Sequence, residues 1–166
     1  MRTRVSAQSL RIAAQWMMTI AEKSESGYRL MGNAAPKPAS LYQRLGGFDA
    51  IAALVDDFVG RLSSDPKFAR FFQGSSDDSR KRRRQLLVEQ LCEAAGGPCY
   101  YTGRSMKASH DGLGITEADW DLMLKHLTAS FDKFQLRPQE RKAVLDIFAG
   151  TRGDIVESNR AGGGAR

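Results

Sequence analysis

Few side chains in this 166-residue chain are suited to metal or covalent chemistry. The sequence has two histidines, His110 and His126, and two cysteines, Cys92 and Cys99. Two histidines are too few for a multi-histidine zinc site, and the cysteine spacing matches no CxxC metal or redox motif. The cysteines flank a Gly96-Gly97 turn, so a redox pair is conceivable. Nothing nearby indicates a reactive thiolate, and we therefore expect a buried thiol and an unpaired loop thiol.

The two histidines differ in their surroundings. His126 lies between Leu124 and Leu127 in a helical stripe, where a single histidine most often has no chemical role. His110 instead ends a short segment that projects into the glycine-bearing loop 111–115. An imidazole between apolar helices can be the single axial ligand of a haem iron and leave the opposite position open for a gas. By spacing alone, a solvent-facing loop histidine is the stronger interpretation, because one histidine is not a metal-site pattern.

The elements that must position these residues are predicted to be helices. Apolar residues recur at three- and four-residue intervals from Ser40 onward, and no alternating strand pattern is sustained. We predict an all-α domain over residues 39–157. The predicted buried stripes are Ile51, Leu54, Val55, Phe58 and Leu62; Leu86, Leu87, Gln90, Leu91 and Ala94; Trp120, Met123, Leu124, Leu127, Phe131 and Phe134; and Val144, Leu145, Ile147, Phe148 and Ile155.

Helix ends are predicted from capping residues. Ser40 and Gln43 have the spacing of a capping box for a very short first helix. Asp77 or Asp78 is expected to cap the second long helix, and Pro138 fits the first position of the last one.

Composition and charge exclude several classes of protein. With 42% hydrophobic and 27% charged residues, the chain has room for one modest domain. Residues 39–157 hold 17 basic and 17 acidic residues, so the net charge of +6 comes from the tails, +4 in residues 1–38 and +2 in residues 158–166. The basic run 80–84 follows two aspartates, and we expect no nucleic-acid partner. No apolar run approaches the roughly 20 residues of a membrane span.

The two ends of the chain are predicted to be appendages. Residues 1–38 are expected to form an N-terminal extension, with an amphipathic helix conceivable before the Pro36-Lys37-Pro38 linker. The glycine-rich tail 158–166 is predicted to be disordered.

Five short strings follow one another in a recognisable order along residues 40–157. They are LYQRLGG (41–47), VDDFVGRL (55–62), FFQG (71–74), GGPCYYTG (96–103) and SMKASHDGLGIT (105–116). In this order they resemble the group I truncated haemoglobins. The resemblance implies a shortened globin whose helices stack two over two around one haem b (iron protoporphyrin IX) per chain.

The resemblance also implies roles for individual residues. His110 matches the proximal iron ligand, and Phe72 matches the phenylalanine that wedges the porphyrin, although an ordinary core aromatic remains open for Phe72. Met106 is expected to pack near the proximal haem face. Tyr101 and Lys107 resemble positions at the haem edge.

The distal side departs from the family pattern. Many members have a tyrosine where this chain has Val59, and the expected distal glutamine falls at about Leu86 or Leu87. The aligned distal pocket is therefore apolar, with Gln85 and Gln90 as the nearest polar candidates. Because this pocket has no donor to the bound gas, we expect oxygen to be released faster than from members that have the tyrosine.

The function implied is reversible binding of oxygen, CO and NO at the haem iron, for oxygen transport or for NO detoxification. Nitric oxide dioxygenase activity needs an external, unidentified reductase, since the chain ends soon after the last predicted helix. We expect a cytoplasmic monomer or weak dimer. The alternatives are a haem-based gas sensor or redox module, and a haem-free helical interaction domain that uses the basic run 80–84.

Overall fold

The computed structural model describes residues 38–157, so the predictions for the N-terminal extension before Pro38 and for the tail lie outside the described residues. Within this range the chain is helical and has no strand, as predicted. Its helices are α1 (Leu41–Arg44), α2 (Gly47–Ser64), α3 (Ala69–Phe72), α4 (Asp77–Ala94), α5 (Met106–His110), α6 (Glu117–Lys133), α7 (Pro138–Ala149) and α8 (Arg152–Ile155).

Helix α2 is the centre of the fold. It packs against both α4 and α6, and the short helices α1 and α3 lie against its two ends. Phe58 of α2 meets Phe148 of α7 edge to face, with ring centroids 6.0 Å apart. The four long helices thus form the predicted two-over-two arrangement. Its buried core consists of Ile51, Leu54, Val55, Phe58, Val88, Leu91, Cys92, Leu127, Phe131 and Val144.

The predicted capping box of α1 is confirmed. Ser40 Oγ accepts from the Gln43 backbone N–H at 3.2 Å, and Gln43 Oε1 accepts from the Ser40 N–H at 3.0 Å. Pro138 is the first residue of α7, also as predicted.

Two predicted helix ends are wrong. Ser76, and not Asp77 or Asp78, caps α4, and its hydroxyl accepts from the Ser79 N–H at 3.2 Å. Both aspartates lie in the first turn of α4, where their charges favour the positive end of the helix dipole. Ile155 does not belong to the last long helix, because α7 ends at Ala149 and the chain begins a separate short helix.

The predicted stripe of α4 is only partly right. Leu91 is buried as expected, but Val88 and Cys92 complete the buried face, and Ala94 is exposed. Helix α4 is rotated so that this face lies against α2. As a consequence, Leu86, Leu87 and Gln90 are half-buried along the edge of α4. Phe134 was also predicted to be buried, but it follows the last turn of α6 and is 37% exposed.

Two carboxylates with little exposure, Glu140 and Asp57, connect neighbouring helices. Glu140 of α7 is 2% exposed and pairs with Arg44 of α1 and with Arg137. Hydrogen bonds from Arg137 lower the pKa of Glu140 below its ordinary value. Asp57 of α2 accepts from Ser130 Oγ of α6 at 2.8 Å.

Asp57 is held as an anion by its surroundings. Burial raises its pKa, but hydrogen bonds from Lys133, Arg61 and Ser130 outweigh this and hold the pKa well below the ordinary value. Lys133 and Arg61 contact the Asp57 carboxylate at 2.6 and 2.7 Å. A deprotonated Asp57 therefore links α2 to α6.

Candidate functional site

Helix α5 is short and presents His110 at its last position. The Ser105 hydroxyl caps the start of α5 by accepting from the Ala108 N–H at 3.2 Å. After His110 the chain turns away through Gly112, whose φ of +77° is readily adopted only by glycine. Helix α5 packs on α8. His110 is half-buried at this end.

The His110 ring has a defined orientation. Its Nδ1 lies 2.8 Å from the backbone oxygen of Met106, one turn earlier in α5. A carbonyl oxygen only accepts, so Nδ1 is the donor in this contact, and in the neutral ring the lone pair is on Nε2. Metal-binding histidines are typically oriented in this way, with the remote ring N–H donated to a backbone carbonyl. Nε2 has no hydrogen-bond partner within residues 38–157.

The segment before α5 runs beside α4. The Tyr101 hydroxyl donates to the Arg104 backbone oxygen at 2.7 Å, and its backbone N–H donates to Glu93 at 3.3 Å. Thr102 donates to Glu89 at 3.3 Å. Tyr101 therefore shapes this loop, and Lys107 is exposed on α5.

The predicted distal residues lie on two helices. Leu86, Leu87 and Gln90 lie along the edge of α4, and Val59 is half-buried on α2. Gln90 Nε2 lies 3.2 Å from the sulfur of Met106, so the structure brings a distal candidate to the helix that carries His110. Gln85, the other polar candidate, instead donates to Glu89 at 3.0 Å.

Phe72 is half-buried at the end of α3, and the structure places a residue over it that the sequence analysis missed. The Cζ atom of Arg83 lies 5.4 Å from the centre of the Phe72 ring. The sequence does place Arg83 one helical turn before Leu87, on the same face of α4. That spacing is the one sequence feature that could have indicated a position near the predicted distal residues.

A cavity of about 540 Å³ lies beside the edge of α4. It is bordered by Leu86 and Thr102 and by the basic side chains Lys81, Arg82 and Arg84. His110 and Phe72 do not line this cavity, whereas the predicted distal residue Leu86 does. A second space of about 120 Å³ lies among apolar side chains of α1, α2 and the α6–α7 connection.

The expectation of two unpaired thiols is wrong, because Cys92 and Cys99 form a disulfide with Cα atoms 5.8 Å apart. The chain reverses at Gly96, which has a φ of +79°. A Cβ on Gly97 would lie 2.4 Å from the Tyr42 ring and 2.7 Å from the Cys92 sulfur. Only glycine allows this close return, which brings Cys99 back to α4.

His126 has a structural contact. Its Nε2 lies 2.8 Å from an Asp65 carboxylate oxygen, and its ring meets Phe68 at a centroid distance of 5.9 Å. Asp65 is the C-cap of α2, so His126 fastens α6 to the end of α2.

The described residues contain neither a cluster of metal-binding side chains nor a helix that could span a membrane. Among the residues from 38 to 157, no three His, Cys, Asp or Glu side chains gather as a metal site. In the same range, no helix has the length and apolar character needed to cross a membrane.

Comparison with known proteins gives consistent matches. The family model for bacterial-like globins matches residues 40–157. The group 1 truncated hemoglobin GlbN of Mycolicibacterium paratuberculosis is 38% identical over 113 residues, covering 68% of this chain and 81% of that protein. The protein of the same name from a Nostoc species is 32% identical over 118 residues, covering 71% of this chain and 98% of its own.

Solved structures show the same similarity. Truncated hemoglobin from Tetrahymena pyriformis in the Fe(III) form matches with a TM-score of 0.66 and 22% identity, and the match covers 72% of this chain and 100% of that one. This match shows a similarity of fold. The 2/2 hemoglobin from a Synechococcus species, solved in the cyanomet state with covalently attached heme, has a TM-score of 0.64 and 27% identity over 71% of this chain and 98% of that one. The matched region contains every candidate site residue named above.

Proposed function

The chain belongs to the bacterial-like globin family as a group 1 truncated haemoglobin, and on that premise we propose how its side chains hold haem and gas. It takes one haem b per chain and binds diatomic gases there. The residues that do so are our proposal, with His110 as the proximal ligand of the iron. When bound, haem would supply an iron that takes oxygen, CO or NO.

One observation carries the proposal, the hydrogen bond between His110 Nδ1 and the Met106 carbonyl at 2.8 Å. This bond fixes the tautomer with its lone pair on Nε2 and resists rotation of the ring. An unanchored loop histidine has neither property, so His110 fits the chemistry of a proximal ligand.

The other residues fit the faces and edges of a flat apolar cofactor. Phe72 and Leu87 are half-buried, which is expected of side chains that cover an apolar surface rather than fill the core. We propose that Phe72 wedges the porphyrin and that Met106 packs on its proximal face. Tyr101 and Lys107 are placed by this proposal at the haem edge.

We propose an apolar distal side formed by Val59, Leu86 and Leu87. Val59 and the two leucines have no side-chain donor, and the amides of Gln90 and Gln85 are directed at the Met106 sulfur and at Glu89. A buried hydrogen-bond donor on this side would slow the release of oxygen from haem, and these apolar side chains supply none. Rapid oxygen release follows, which suits reversible oxygen binding and transport.

We also propose the setting in which this happens. The chain acts as a monomer or weak dimer in the cytoplasm, and an unidentified reductase returns the iron to its ferrous state. With oxygen as the oxidant and such a reductase to restore the iron, the oxidation of NO to nitrate would be open to the protein as well. Disulfides in that compartment are typically transient or redox-sensing, so the Cys92–Cys99 bond is expected to be partly reduced in the cell. Rapid alkylation of cell extracts measures that fraction.

The alternatives have no support of this kind. The haem-free interaction domain depended on the basic run 80–84, but Arg80 and Arg84 of that run are paired with Asp77 and Asp56. None of the reported relatives is described as a gas sensor or redox module.

The test uses the chain's two histidines as a matched pair. The purified full chain is titrated with haem, and ferrous and CO-bound spectra are recorded for the parent, His110→Ala and His126→Gln. We expect stoichiometric haem and a histidine-type CO spectrum in the parent and in His126→Gln, and its loss in His110→Ala. Unchanged spectra in His110→Ala would refute the assignment of the iron ligand.

A further inference from the structure

Arg83 of α4 is held against the end of α3. Its Nη1 donates to the Phe71 backbone oxygen at 3.2 Å, and its Nη2 donates to the Ser75 hydroxyl at 2.9 Å. The guanidinium lies over the Phe72 ring, with Cζ 5.4 Å from the ring centre. Three contacts therefore fix the position of a side chain that would otherwise be long and flexible.

The charge of Arg83 is not neutralised by this arrangement. Arg80 and Arg84 on the same helix each contact an aspartate, but no carboxylate of residues 38–157 lies within 4 Å of Arg83. A guanidinium has five N–H groups. The contacts above use two of them, and the other three have no partner in the described part of the chain. Arg83 is exposed, so an anion can reach it from solvent.

The position of Arg83 relates it to the proposed gas site. It precedes Leu87 by one helical turn, so both lie on the same face of α4. It also covers Phe72, the proposed wedge against the porphyrin. A fixed cation with free N–H groups thus stands over Phe72, the proposed wedge, and one turn from Leu87 of the proposed distal side.

We propose that Arg83 makes this site favour anionic ligands of the iron, whereas the apolar residues alone favour neutral ones. The inference rests on the proposed function, because it requires haem between Phe72 and His110. A charge-assisted hydrogen bond to a bound anion is roughly twice as strong as a neutral one. A neutral gas such as CO gains little from the same cation.

A second anion shares this chemistry, namely the carboxylate side chains of haem itself. If Arg83 paired with one of them, its removal would speed haem loss and leave the affinity for added anions unchanged. A third role is purely structural, as a cap on the last carbonyls of α3. Removing Arg83 would then lower the thermal stability and change neither the rate of haem loss nor the affinity for added anions. These roles make different predictions in one set of measurements.

The experiment compares Arg83→Gln with Arg82→Gln in the full chain loaded with haem. Arg82 is the matched control, since it carries the same charge on the same helix but borders the cavity beside Leu86. Azide is titrated into the ferric proteins at pH 7, and CO binding is measured on the ferrous proteins. Haem loss is followed by transfer to excess apomyoglobin, and the thermal midpoint is recorded for each variant.

We expect Arg83→Gln to bind azide about tenfold more weakly, with CO affinity and haem loss within twofold of the parent. Arg82→Gln should match the parent in azide affinity, CO affinity and the rate of haem loss. Arg83→Lys keeps the charge and should fall between the parent and Arg83→Gln. Unchanged azide affinity in Arg83→Gln overturns the inference, whether or not haem loss increases. Failure of the parent to bind haem would instead refute the proposed function.

Discussion

Replacing Cys99 with alanine removes the bond to Cys92, and we expect the free energy of unfolding to fall by about 2.5 kcal/mol. The two cysteines are separated by 7 positions, so the bond closes a loop of 8 residues. Loop-closure entropy for 8 residues is about 8.3 cal/mol/K, which gives about 2.5 kcal/mol at 25 °C. Cys99 is partly exposed, so the alanine costs little packing in the folded state.

The assay is thermal unfolding of the parent and the variant, with and without a thiol reductant. For a domain spanning residues 40–157, 2.5 kcal/mol corresponds to a midpoint lower by roughly 10 °C. The reductant should lower the midpoint of the parent by a similar amount and leave Cys99→Ala unaffected. Two reactive thiols in the unfolded, non-reduced parent, or a midpoint insensitive to reductant, would refute this reasoning.

Three further predictions concern the gas site, the charge network and the disulfide turn. Val59→Tyr adds a hydroxyl donor on the distal side and should slow oxygen dissociation, measured by stopped flow, about five- to a hundredfold. An unchanged rate would mean that another donor is present or that residue 59 does not face the gas. Asp57 has a lowered pKa in the folded state, so its contribution to stability is present above the unfolded value of about 3.9 and is lost as the pH falls below it. Asp57→Asn should therefore lose about 1 kcal/mol at pH 7 and show a weaker dependence of the unfolding midpoint between pH 5 and 2; an equally steep dependence would argue against this network. Gly97→Ala should lower the free energy of unfolding in urea by about 1 to 3 kcal/mol, because its Cβ would lie 2.4 Å from a ring atom of Tyr42. The control is Gly60→Ala in α2, where a Cβ meets nothing within 4 Å, and this substitution should raise the free energy of unfolding by about 0.5 to 1 kcal/mol. Equal effects of the two glycine substitutions would contradict the crowding at residue 97.

The helices were predictable because their signals are local. A serine three residues before a glutamine produces the capping box of α1, and the apolar spacing of α2 matches its buried residues Ile51, Leu54 and Val55. Such signals depend on neighbours within one or two turns. They contain no information about how a helix is rotated against its partner, which is why Val88 of α4 was missed.

The errors arise where distant residues meet. Cys92 and Cys99 pair because of a reversal at two glycines, and sequence spacing alone does not give the distance between their Cα atoms. Glu140 is buried because Arg44, far away in sequence, reaches it. The sequence shows Arg83 only as part of a charged run, because its contacts with the end of α3 depend on the tertiary fold.

The central claim is that His110 holds the iron, and the resonance Raman spectrum of the ferrous protein tests it most directly. The iron–histidine stretching band should be present in the parent and should shift when the histidines carry ¹⁵N. It should vanish in His110→Gly, return when imidazole is added, and persist in His126→Gln. A band that survives in His110→Gly without imidazole would contradict the account.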